Sequence, residues 1–196
     1  SEAGSSITGT AEANATVSLT LGAGNVRTVE ADGNGAWTYA LVDADITAMG
    51  QGAETISATA TDAAGNVSAS VTRDIAIDTT APTTMLTIDS ITADSGAADF
   101  ITNDNDGLTI NATLSTGLAT GETLQYSTDN VNWTDITGSV LGTAVAHTDA
   151  GSTSTATVYM RVLDGAGQNG TAASQLMTID TTAPTTMLTI DSITAD

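Results

Sequence analysis

Aspartate is the residue type through which this chain can do chemistry. The sequence carries 18 Asp and 5 Glu against three Arg and no Lys, a formal charge of −20. Many of the aspartates stand in loops beside Gly or Asn, as in Asp32-Gly33-Asn34-Gly35, Asp62-Ala63-Ala64-Gly65-Asn66 and Asp164-Gly165-Ala166-Gly167. The densest run is Asp94, Asp99, Asn103, Asp104, Asn105 and Asp106, which closes on Gly107. Crowded carboxylates repel one another and raise each other's pKa. A hard divalent cation resolves this, and Ca2+ accepts about six to eight oxygen ligands, carbonyls and water included. A second reading stands beside it: a solvated acidic surface that keeps a Thr-rich β protein soluble.

Other chemistries lack their residues. The chain has one His and no Cys, so thiolate nucleophiles, zinc–thiolate sites and disulfides are excluded. No GxSxG or HExxH motif occurs, and no enzyme is expected. The pair His147 and Asp149 reads as surface polar sequence in a loop, and Asp43, Asp45, Asp129 and Asp135 read as plain surface charges. The acidic loop is not an EF-hand: with Gly107 at the glycine position, Thr102 would open it and Thr113 would close it, where Asp and Glu are required. A charge of −20 repels nucleic acid and anionic membrane surfaces. No apolar run is long enough to cross a bilayer, so no direct membrane insertion is expected. No signal peptide is visible at the start.

The elements that position these loops read as strands. Period-2 alternation marks 15–21, 25–31, 36–41, 55–61 and 67–77, then 84–91, 108–114, 123–127, 155–163 and 174–179. One helix-like stretch, DADITAM, spans Asp43–Met49. Short strands between Gly/Asn turns predict an all-β fold of sandwich type. The segment Asp78–Asp94, DTTAPTTMLTIDSITAD, returns letter for letter at Asp180–Asp196, an offset of 102 residues. Asp62 and Asp164 keep the same offset. This sets domain boundaries at 1–78, whose opening strand is expected to be missing, and at 79–180, which is complete. Residues 181–196 then form the first strand of a third repeat, as in a fragment of a longer array.

TATDAAGNVS (59–68) followed by IDTTAP (77–82) resembles the bacterial Ig-like tandem repeats of giant type I-secreted adhesins of the biofilm and RTX type. GTAEANATVSLTLGAGNVRTVEADGNGAWTYAL (9–41) and DSGAADFITND (94–104) are similar to segments of the same repeats. Gln168 departs from the pattern where the first unit has Asn66. The resemblance implies tandem Ig-like β-sandwich domains in an elongated array, placed extracellularly or on a bacterial cell surface.

On that fold, with the last strand running from the N-terminal to the C-terminal pole, the aspartates distribute to junctions. Asp78 falls at the lower pole of unit one with Glu12, Asp32 and Asn34, and meets Asp164 from the turn of unit two. Asp180 falls with Asp94, Asp99, Asp104 and Asp106, and Asp62 faces a preceding domain. The function expected is a calcium-rigidified spacer supporting cell adhesion or biofilm formation. Its partners are calcium ions and neighbouring repeats of the same chain, with a host or surface ligand bound by other domains. Two further readings stay open: a carbohydrate- or surface-binding β-sandwich module, and a subunit of an extracellular polymer.

Overall fold

Alternation of apolar and polar residues places one face of each strand inward. The computed structural model describes residues 4–189. The chain divides into two compact units, residues 1–81 with 165–168 and residues 82–164 with 169–196.

Unit one contains β1 (Ser6–Thr10), β2 (Thr16–Thr20), β3 (Val26–Glu30), β4 (Ala36–Ala40), α1 (Asp43–Met49), β5 (Gly52–Thr61) and β6 (Val71–Ile77). One sheet has only β1 and β4, and the other runs β3-β2-β5-β6. Val17, Leu19, Leu21, Ile56 and Ile77 fill the space between them, with Ile46 and Met49 of α1 closing one end. The strand expected over 67–77 begins only at Val71, because Val67 makes an isolated bridge to Thr61. Strand β1 was not visible from alternation; it forms by pairing with β4. The turn at Asp32–Gly35 carries the chain from one sheet to the other, since β3 and β4 do not share a sheet.

Unit two contains β7 (Leu86–Ile91), β8 (Ile101–Thr102), β9 (Leu108–Leu114), β10 (Thr123–Ser127), β11 (Thr134–Asp135), β12 (Val140–Leu141), β13 (Ala144–Asp149), β14 (Ala156–Leu163) and β15 (Ala173–Ile179). Its sheets run β12-β13-β9-β7 and β11-β10-β14-β15-β8. The core is aliphatic, centred on Leu108, Ile110, Leu124, Val158, Met160 and Met177, all within 1% of full burial. β13 was missed in the sequence because AVAHTD reads as a polar loop. Residues 181–189 form no strand: the identical sequence at Leu86–Ile91 is held by β9, and among the described residues no strand pairs with this copy. The remainder of the expected third-repeat strand lies outside the described residues.

The units share one plan. Gly9 pairs with Trp37 as Ala112 pairs with Val145, and Ile7 pairs with Tyr39 as Ile110 pairs with His147. β1 thus corresponds to β9, β4 to β13, and β3-β2-β5-β6 to β11-β10-β14-β15.

Candidate metal sites at the poles of the sandwiches

Each pole is set by where antiparallel strands turn. In unit one Thr16 pairs with both Glu30 and Thr61, so the loops at 11–15, 31–35 and 62–66 gather at one end. Gly52 pairs with Ile77 at the other end, where Asp78 accepts a 2.7 Å hydrogen bond from Gln51 Nε2. Glu12 and Asp32 therefore lie with Asp62, not with Asp78 as the sequence suggested. The reason is parity. Six antiparallel strands return the chain to the pole where β1 begins, whereas a seven-strand count would end it at the opposite one. The loops of Glu12 and Asp32 are tied by backbone bonds, Ala11 N–H to the Gly35 carbonyl at 2.8 Å and Asn14 N–H to the Asp32 carbonyl at 3.2 Å.

Turn formation occupies most of these carboxylates. Asp32 Oδ1 accepts the Asn34 and Ala36 N–H groups. Asp62 Oδ1 accepts those of Ala64 and Asn66, while Oδ2 takes Asn66 Nδ2 at 2.7 Å. The bonds from Asn66 hold the Asp62 carboxyl below its ordinary value, as the bond from Gln51 does for Asp78. Asn66 is thus the residue that locks this turn. Replacing it by alanine is expected to move the Asp62 carboxyl back up toward the normal carboxylate range, read by NMR titration.

At the exit pole of unit two, Asp180 N–H donates to the Thr102 carbonyl at 2.9 Å, and β8 lies parallel to β15. This brings Asp180 beside the acidic loop that carries Asp94, Asp99, Asp104 and Asp106. The loop is folded by its own side chains: Asp94 Oδ2 accepts Phe100 N–H, and Thr102 Oγ1 donates to the Ala93 carbonyl at 2.6 Å. Ala93 and Phe100 both take left-handed φ near 65°. Asp99 accepts Ile101 N–H, and Asp104 accepts Asp106 N–H. Two features are not absorbed by folding. Asp94 Oδ1 is buried without a hydrogen-bond partner. Asp106 has its carboxyl raised, first by a hydrogen bond with the Asp104 side chain and then by that neighbour's charge. Asp164 lies at the other pole of this unit, just beyond Leu163, the end of β14. Among the described residues no three His, Cys, Asp or Glu side chains converge, so a cation here would draw on a carboxylate pair plus carbonyls and water.

Two acidic residues read as surface charges, Asp45 and Asp149, prove otherwise, while Asp129 is exposed as expected and serves a turn. Asp45 is fully buried and accepts four bonds, from Asn25 Nδ2 at 3.0 Å, Arg27 Nε at 2.7 Å, Tyr39 hydroxyl at 2.8 Å and Val42 N–H at 3.1 Å. A signal existed: Asp45 stands four residues before buried Met49, on the inward face of α1. Asp149 accepts the Tyr126 hydroxyl at 2.8 Å, Gly151 N–H at 2.8 Å and Ser152 Oγ at 3.1 Å. His147 is a strand residue whose ring lies 4.6 Å from that of Tyr126. Asp129 accepts the N–H groups of Val131 and Asn132 and so builds the turn after β10. Changing Tyr126 to Phe is expected to cost unit two ~2 kcal/mol, the worth of a hydrogen bond to a charged acceptor. A lowered urea midpoint at constant slope would show it.

With strand order and poles defined, the chain can be set beside known proteins. Residues 1–76 match the family model described as bacterial Ig domain. This match spans most of the first unit. Unit two follows the strand plan of unit one, with β7, β8 and β12 added. The chain is similar to a solved structure of a 1.5-MDa bacterial ice-binding adhesin concerned with host cell surface retention, at 20% identity and a TM-score of 0.41, over 93% of this chain and 60% of that one. It is also similar to a tetra-tandem repeat in the extending region of a large adhesion protein, at 21% identity and a TM-score of 0.32, over 93% of this chain and 47% of that one. The chain thus spans less than two thirds of either structure's length. No curated protein matches. Among the described residues no helix is long and apolar enough to cross a membrane.

Proposed function

We propose that the chain is a non-catalytic structural segment of a large bacterial adhesin, on the cell surface or secreted, whose Ig-like domains act as a spacer stiffened by calcium. One observation carries this reading. The stretch that returns after 102 residues supplies, in its first copy, both the linker after a bacterial Ig domain and the opening strand β7 of the next sandwich. Reuse of linker and first strand at a domain period is how a chain builds a tandem array of one fold. The linker has no glycine slack: Pro82 fixes its own φ and biases Ala81 toward extended backbone. Such an array holds a binding domain, carried elsewhere in the protein, away from the cell to support adhesion or biofilm formation.

Calcium suits the acidic poles. All available donors are hard oxygens, and at the exit pole of unit two the Asp104/Asp106 pair lacks any neutralising cation among the interactions it makes. Asp94 Oδ1 is a buried acceptor without a hydrogen-bond partner, an arrangement that calls for a donor, water or ion. These groups, completed by carbonyls and water, would hold Ca2+ with the affinity of extracellular modules, about 10⁻⁴–10⁻³ M. Calorimetric titration of the chain with CaCl2 should show binding in that range and a rise in melting temperature that a chelator reverses. The double change Asp104→Asn and Asp106→Asn should abolish both responses for unit two. Absence of calcium heat, or a melting curve indifferent to chelator, would overturn the calcium part and leave the spacer reading to stand on the repeat.

A further inference from the structure

At the exit pole of unit two a cavity of about 340 Å³ opens between the ends of β10 and β13, which belong to opposite sheets. That volume is in the range of a small-molecule site. Its wall is mainly polar, with Tyr126, Thr128, Asp129, Asn132, Thr134 and Asp149 among the residues that form it. All six lie within unit two. The Tyr126 hydroxyl reaches from one sheet to Asp149 of the other at 2.8 Å, so the two sides of the cavity are held in fixed relation.

Both carboxylates of this wall are held in the ionised form. Asp129 is pulled well below the ordinary carboxylate value, first by the Asn132 N–H and then by the Asn132 side chain and the Val131 N–H. At Asp149 burial opposes ionisation, but the bonds from Tyr126, Gly151 and Ser152 outweigh it. Neither meets a cation: the one ion pair among the described residues joins Arg27 to Asp45 in the other unit. Nor are their oxygens filled. Among the described residues Asp149 Oδ1 accepts only the Gly151 N–H, and Asp129 Oδ2 only Asn132 Nδ2, whereas a carboxylate oxygen takes about two such bonds. The hydroxyls of Thr128 and Thr134 make no hydrogen bond within the described residues. Asn132 gives Asp129 one N–H of its amide and retains the other.

The chemistry of the wall defines its ligand. Two ionised acceptors without a counter-charge select a cationic group through charge-assisted bonds, and the −20 charge of the chain steers a cation inward. A lysine side chain needs an apolar slot for its methylene stem, and this wall is mainly polar. The amide and the two threonine hydroxyls suit the O–H groups of a sugar ring instead. We propose that this cavity binds an amino sugar, its ammonium held by Asp129 and Asp149 and its ring hydroxyls by Thr128, Asn132 and Thr134. The site gives a spacer domain a hold of its own on a polysaccharide that carries free amines. It shares no residue with Asp94, Asp104 and Asp106, so it stands or falls apart from the calcium reading.

NMR titration of the 196-residue chain with the glucosamine disaccharide, at moderate salt and a mildly acidic pH that keeps its amines charged, should shift the amides of Thr128, Asn132 and Gly151. Asp129→Asn removes the charge but keeps an oxygen to accept the Val131 and Asn132 N–H groups of the turn, and a melting curve checks that unit two stays folded. This variant should bind at least about tenfold more weakly, the worth of one hydrogen bond to a charged group. Glu30→Gln removes the same charge from unit one and should leave binding as it was. The diacetylated disaccharide, whose nitrogens are neutral, should lose as much as Asp129→Asn does. The proposal is overturned if those amides stay still, if Glu30→Gln weakens binding equally, or if acetylation makes no difference. A lysine tetrapeptide that shifts the same amides at lower concentration than the sugar would assign the cavity to a basic protein segment and overturn it. CaCl2 that does so would overturn it in favour of a metal ion.

Discussion

Replacing Asp45 by alanine is expected to destabilise unit one by about 2–3 kcal/mol, because it removes the charged acceptor of several hydrogen bonds from groups left without a partner. Arg27 is partly exposed and can return to water, which limits the cost. The carboxylate is fully buried, and four donors converge on it from three elements. Arg27 and Asn25 come from β3 and its preceding loop in one sheet, Tyr39 from β4 in the other, and Val42 N–H from the start of α1. The group therefore pins helix to both sheets, which a small aliphatic core does only weakly. Its carboxyl is lowered from 3.8 to about 2: burial opposes ionisation, but the bonds from Asn25, Tyr39, Val42 and Arg27 outweigh it. The sign follows from linkage. A depressed folded-state value means the stabilisation is complete above the unfolded value near 3.8 and is lost as pH falls toward about 2. Urea unfolding followed by the Trp37 fluorescence of unit one should show this loss between those pH values. The Asp45→Ala variant should show a flatter acid limb.

A Gly107→Val change is expected to cost unit two about 3 kcal/mol and to displace the acidic loop from the sandwich. Gly107 has φ +111°, and a Cβ built there would stand 2.9 Å from Ala150 Cα and 3.2 Å from the Asp149 carbonyl. Both obstacles are backbone, so neither can swing aside. β9 begins at the next residue, and Leu108 pairs with Asp149 at the rim of β13. The substitution thus separates two loops that the pole holds together, the one with Asp104 and Asp106 and the one with Asp149. Thermal melting should show the unit-two transition lowered while that of unit one is unchanged. If the calcium proposal holds, calorimetry should show weaker calcium binding in the same variant.

Much of the β architecture was legible before any coordinates. Leu108–Leu114 and Thr123–Ser127 were found to the residue, and α1 from DADITAM, because each carries its own periodicity. Elements with no period of their own were missed. β1 is five residues with a glycine, β13 carries His and Asp at polar spacing, and both exist only because a partner strand is present. The identical sequences 86–91 and 188–193 make the point within one chain: the first is a strand because β9 is beside it, while Leu188 and Thr189 of the second are not.

The candidate sites divide along the same line. Sequence alone determined which residues offer oxygen, that aspartates cluster in Gly/Asn turns, and that a domain period of 102 residues returns the same linker. Side-chain alternation also told which face of a strand looks inward. It could not tell at which pole a loop falls, since that depends on how many strands precede it, and one strand more or less reverses the answer. That parity moved Glu12 and Asp32 from Asp78 to Asp62. Nor could it tell Asp45 from an exposed neighbour, because burial of a charge is decided by donors from elements distant in sequence. Tertiary structure alone brought Asn25, Arg27 and Tyr39 to one carboxylate, for the physical reason that only their joint hydrogen bonds repay its removal from water.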